Sequence, residues 1–223
     1  MTEETNVFEL KDCALIAIAT GKRAQNLREM INLLQGIDLN SIYYHFWGGL
    51  LRPRFDNPEY HNDFAIWVAQ SLNNKTLAER LALIDPAKYD SLASLRDEII
   101  DLIEEDLDET EYPVWSKRDD QFEFIASQLV VFNTYVKIKD PFEMAVFLSG
   151  MSSGSIFFHF IDGRRRNENE MDDFRKWLMQ FGDQYRNLIE RIEDIDPYFS
   201  SLTELRTHLI EAFTALHGEG ESE

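Results

Sequence analysis

A single cysteine, Cys13, stands in 223 residues, so no disulfide can form within the chain and a disulfide-stapled secreted scaffold is excluded. Basic residues are scarce: 22 lysines and arginines face 41 aspartates and glutamates, a formal net charge of -19. A surface that negative repels phosphate backbones and anionic lipid at long range, so nucleic acid and membrane are not expected partners. Long apolar runs are missing too, and none approaches the roughly 20 residues that a bilayer crossing needs. The N-terminal Met1-Thr-Glu-Glu-Thr-Asn6 is acidic where a signal peptide is basic, and cytoplasmic residence is the expectation. No glycine-rich phosphate loop follows a strand, and there is no His-Glu-x-x-His, nucleophile elbow or paired-cysteine motif. These absences favour a non-enzymatic role, with no cofactor and no metal site expected.

Apolar side chains are plentiful. Hydrophobic residues make up 44% of the chain and aromatics 13%, enough for one large core or two small ones. The chain also repeats itself. Sliding it by 114 positions places Phe8 on Phe122 and runs without a gap to Phe46 on Phe160, matching Thr20 with Thr134, Glu29 with Glu143 and Gly36 with Gly150. The run closes on Ser41-Ile-Tyr-Tyr-His-Phe46 opposite Ser155-Ile-Phe-Phe-His-Phe160. After a short slip, Asp63, Phe64 and Trp67 fall opposite Asp173, Phe174 and Trp177, and Ile84, Asp85 and Pro86 opposite Ile195, Asp196 and Pro197. Order is kept throughout, so the expected division is a first repeat over 1–107, an acidic linker over 108–120, a second repeat over 121–216 and a loose tail over 217–223.

Each repeat opens on a β-rich stretch, clearest where Leu129, Val131, Tyr135, Val136 and Ile138 mix aliphatic, β-branched and aromatic residues. One short strand followed by about four to five helices is expected in each repeat. An isolated strand cannot satisfy its backbone, so the two strands should pair across a pseudo-two-fold axis. The fold class is therefore mainly α with a minor β element (α+β). Asn26 and Asp140 are read as N-caps, with Glu29 and Glu143 three residues on and Gly36 and Gly150 placed to end the helices. Further helices should begin near Asn62, near Thr76 with Glu79 completing its capping box, and near Ser91. Arg80 with Asp85 reads as a structural ion pair or cap.

The paired Ser-Ile-aromatic-aromatic-His-Phe block is the best candidate for a site. At about 100° per residue, Ser41, His45 and Arg52 share one helical stripe, as do Ser155, His159 and Arg166, provided the helices pass through Gly48-Gly49 and Asp162-Gly163. A hydroxyl, an imidazole and a guanidinium on one stripe suit a small anionic ligand, and Arg54, Arg164 and Arg165 would enlarge the patch. The structural alternative has the histidines in the core, bonded to backbone or to Asp63 and Asp173, with Arg52 and Arg166 bridging to carboxylates. Cys13 reads as small core filler, His61 as a surface residue and the acidic run from Glu104 to Glu109 as a solvated helix end.

The blocks beginning at Ser41, Asn57 (Asn-Pro-Glu-Tyr-His-Asn-Asp-Phe), Leu77 (Leu-Ala-Glu-Arg-Leu-Ala-Leu-Ile-Asp-Pro) and Ser155 resemble the prokaryotic domain-of-unknown-function 5752 family over nearly the whole chain. The resemblance implies a soluble prokaryotic protein, loosely associated with sugar-transfer and trehalose-type enzymes, and carries over no site residue. Two functions are expected. The first is a non-enzymatic interaction or regulatory protein that binds a protein partner or itself. The second is a protein that binds a small anion, a phosphosugar or carboxylate, or acts on one, through a cleft between the repeats.

Overall fold

The computed structural model of the chain describes residues 6–52, 60–109, 114–197 and 201–219. Strand β1 (Phe8–Ala24) leads to helices α1 (Leu27–Leu34), α2 (Leu39–Leu51), α3 (Asp63–Ser71), α4 (Lys75–Ala82) and α5 (Leu92–Glu109). Strand β2 (Phe122–Ile138) leads to α6 (Met144–Gly150), to a helical run over 153–166, and to α9 (Asp173–Leu178), α10 (Arg186–Glu193) and α11 (Leu202–Glu219). Within that run α7 (Ser153–Ile156) passes through a π-helical turn (Phe157–Asp162) into α8 (Gly163–Arg166). The chain is mainly helical with one small two-stranded antiparallel sheet, an α+β class.

The strands are not short. Each runs 17 residues, because the alternation begins early: Phe8 and Leu10 in β1, and Phe122 and Phe124 in β2, are buried on one face while their neighbours are exposed or half-buried. Both strands carry a residue in the left-handed region, Gly21 (φ 72°) and Tyr135 (φ 62°). Each follows a threonine that bonds the facing strand, Thr20 to the Phe124 carbonyl and Thr134 to the Leu10 carbonyl. The backbone N–H one residue past each then bonds back to the threonine hydroxyl, a bulge-like kink in each strand.

Helix starts follow side-chain chemistry. Asn26 accepts from Glu29 N–H, Asn62 from Ala65 N–H and Ser91 from Ser94 N–H, as expected. Helix α4 differs: its cap is Asn74, which accepts from Leu77 N–H while its amide donates to Asp106. Thr76 therefore lies inside the first turn, since Asn74 has a second partner that fixes it. Asp140 does cap, but a 3-10 turn (Pro141–Glu143) precedes α6. Asp85 caps a similar turn at Ala87, while Arg80 bonds Glu105 instead of Asp85. Helix α11 continues to Glu219, and 220–223 lie outside the described residues.

The chain divides into two compact units that cut across the order of the sequence. One is continuous, Leu15–Leu129; the other is split, Met1–Ala14 with Val130–Glu223. Each strand thus contributes its first half to one unit and its second half to the other. In the continuous unit Phe64, Leu77, Leu81 and Ile99 are buried, and Phe64 stacks on Phe122 at 5.0 Å between ring centroids. In the split unit Phe174, Leu188, Leu209 and Phe213 are buried, and Phe174 stacks on Phe8 at 5.1 Å between ring centroids. Burying each such side chain contributes roughly 1.5–3 kcal/mol. The strand in the split unit lies so close to α7 that a Cβ at Gly154 would fall 2.3 Å from the Cys13 carbonyl oxygen, so only glycine fits there.

Candidate functional site

In the continuous unit α2 runs unbroken through Gly48 and Gly49 to Leu51, and Arg52 follows at its C-cap in extended conformation. His45 is buried against Phe122 and Phe64, with ring centroids 4.6 and 5.4 Å away. Its Nε2 accepts the backbone N–H of Ile125 at 3.1 Å, which leaves the ring proton on Nδ1 to donate to Asp63 Oδ2 at 2.9 Å. Arg52 reaches the same carboxylate oxygen at 3.4 Å and lies over the Tyr44 ring at 4.6 Å. Ser41 does not join them; its hydroxyl donates to the Ile125 carbonyl at 2.9 Å.

The split unit carries the same set of contacts. His159 Nε2 accepts Lys11 N–H at 2.9 Å and its Nδ1 donates to Asp173 Oδ2 at 2.8 Å. Arg166 donates to Asp173 at 2.9 Å, to Asp162 at 2.6 Å and to the Phe158 carbonyl at 2.9 Å, and lies 4.1 Å over the Phe158 ring. Asp162, the last residue of the π-helical turn, lies four residues before Arg166, so its carboxylate meets the guanidinium across one turn of α8. Ser155 is buried 3.1 Å from the Ser152 hydroxyl, which bonds Asp12. Arg165 also bonds Asp162, Arg164 bonds the Ile195 carbonyl, and Arg54 lies outside the described residues.

Burial pushes the His45 imidazole below its ordinary value, and the opposing pull of Asp63 does not overcome it. Burial also tends to raise Asp173, yet the bonds from His159 and Asn167 and the Arg166 charge outweigh it and hold the carboxyl below its ordinary value. Cys13, desolvated and beside Asp12, is pushed up to about 12 and donates its Sγ–H to the Gly154 carbonyl, so it is no nucleophile at neutral pH.

A histidine oriented by an aspartate matches half of a hydrolytic triad, but a general base needs an open second nitrogen. In both clusters that nitrogen is occupied by a strand N–H. The imidazoles therefore fasten strand to helix, and Asp63 and Asp173, half-exposed at most, tie in the arginines. Among the described residues no three His, Cys, Asp or Glu side chains converge as metal ligands. No described helix is long and apolar enough to cross a membrane.

Beside the split-unit cluster lies a pocket of about 250 Å3, lined by Lys11, His159, Arg166, Asn167, Asp173 and Lys176 among others. His159 and Arg166 were legible as a stripe. Lys11, Asn167 and Lys176 were not, since nothing local marks them. The available signal was a difference between the halves: Lys11 stands opposite Ile125, and Lys176 opposite Ile66.

None of the curated proteins matches the sequence. The solved structure of OrfY from Thermoproteus tenax is similar, with a TM-score of 0.77 and 23% identity over 94% of each chain, a likeness that speaks for the fold alone. The model of a family of unknown function, DUF5752, matches residues 5–214, nearly the whole chain, and the protein belongs to that family.

Proposed function

We propose that this is a non-enzymatic interaction or regulatory protein, built from two tandem copies of one strand-and-helix repeat, that binds a protein partner through exposed strand surface. The observation that carries this reading is Tyr135. The residue is 84% exposed, and its backbone holds the left-handed conformation, which costs a non-glycine residue roughly 1–2 kcal/mol. Gly21, opposite it in the repeat, adopts the same conformation without that cost. A strained, solvent-facing aromatic serves contact better than folding. Val131 and Phe132 on β2 and Ile16 and Ile18 on β1 are also exposed, and each strand of a two-stranded sheet has an unpaired edge. An enzyme of carbohydrate metabolism is the partner class that the family resemblance suggests, with self-association the alternative.

Affinity capture from the native host tests this with the wild type and a Tyr135→Gly/Phe132→Glu variant. A partner, or a second copy, held by the wild type and lost by a still-folded variant is the expected outcome. A wild type that captures nothing, stays monomeric and turns over a metabolite contradicts the reading.

A second reading, a protein that binds a small anion, is favoured by the pocket beside His159 and Arg166.

A further inference from the structure

The two His-Asp-Arg clusters share their geometry but not their surroundings. In the split unit the pocket walls carry three cations, Lys11, Arg166 and Lys176, against two carboxylates, Glu9 and Asp173. Both carboxylates are engaged: Glu9 by Lys137 at 3.0 Å, and Asp173 by His159, Arg166 and Asn167. Lys176 is oriented by Asn167, whose amide oxygen accepts from Nζ at 2.8 Å while its nitrogen donates to Asp173 at 2.8 Å. In the continuous unit the corresponding backbone N–H to the histidine comes from Ile125, and the residue before the matching tryptophan is Ile66. Neither can attract an anion.

We propose that the pocket of the split unit is a single, one-sided binding site for a phosphate monoester, with Lys11 and Lys176 as its ligand-contacting cations and Arg166 as a supporting charge. The proposal rests on the second reading above. Arg166 uses Nε and Nη2 on Asp162, Asp173 and the Phe158 carbonyl, so its planar fork is not open for the bidentate grip that a carboxylate prefers. Two lysine ammonium groups act instead as point charges, which suits the multiply charged, near-spherical phosphate group. Phe8 and Trp177 supply apolar wall for the body of the molecule. His159 holds the Lys11 backbone through its Nε2 and so positions that lysine without touching the ligand. In a chain of formal charge -19, two lysines at one pocket concentrate the attraction there.

Titration calorimetry with inorganic phosphate and with glycerol 3-phosphate tests this on the full chain. The variants are Lys11→Ile/Lys176→Ile, which installs the residues of the other half, and Arg52→Ala, which removes the equivalent arginine of the continuous unit. Circular dichroism and melting temperature verify that each folds. The expected result is one site per chain, weakened at least about tenfold by the double isoleucine change and unaltered by Arg52→Ala. Binding that survives the double change, or a stoichiometry of two, overturns the one-sided site while leaving anion binding standing. No binding of either compound to the wild type at millimolar concentration overturns both.

Discussion

His45 and His159 are each buried and each bonded at both ring nitrogens, one to a strand N–H and the other to a partly exposed carboxylate. Their acid partners were legible in the sequence, because Asp63 and Asp173 recur at matched positions and buried imidazoles seek carboxylates. Their backbone partners were not. Ile125 lies 80 residues from His45, and Lys11 lies 148 from His159, and no local pattern reports such a pairing. The downward shift of His45 gives a pH dependence. Folded protein holds the ring neutral, whereas the unfolded chain takes up a proton below about 6.5. The stabilising contribution is therefore complete above that value and declines as pH falls through it. Urea denaturation of wild type and His45→Gln should show the largest gap in stability at pH 7–8 and a narrowing gap towards pH 5. A gap independent of pH would contradict the neutral, buried assignment.

At the scale of elements, helix caps were the most readable feature, since Asn26, Asn62 and Ser91 act through the N–H three residues on. Asn74 was missed because Thr76 is an equally good capping residue by type, and only Asp106 on α5 decides between them. The strands were read too short. Their middle portions are exposed and carry alanine, threonine and asparagine, which blurs the alternation. The π-helical turn over Phe157–Asp162 has no sequence signature of its own and was not legible. The strand kink makes a prediction. Tyr135→Gly should stabilise the fold by about 1 kcal/mol, net of the greater freedom of glycine in the unfolded chain, measured by urea denaturation. The same change should weaken partner capture. A destabilised Tyr135→Gly would show that the ring serves the fold, and would remove the main support for the contact surface.

At the scale of the molecule, the sequence pairs positions of one half with positions of the other, but the partition into units was not legible. Sequence periodicity reports which residues correspond; it does not report which helices each strand packs against. Here the start of β1 belongs with the helices after β2, and the start of β2 with the helices after β1. Each strand runs unbroken from one unit into the other, so the unfolding of one unit frays the strands on which the other is built. The protein should therefore melt as one cooperative species. Scanning calorimetry of the wild type, His45→Ala and His159→Ala tests this most directly. One transition is predicted in all three, with equal calorimetric and van't Hoff enthalpies, lowered by about 5 °C or more in either variant. Two separable transitions, with each substitution moving only one of them, would contradict the shared-strand architecture.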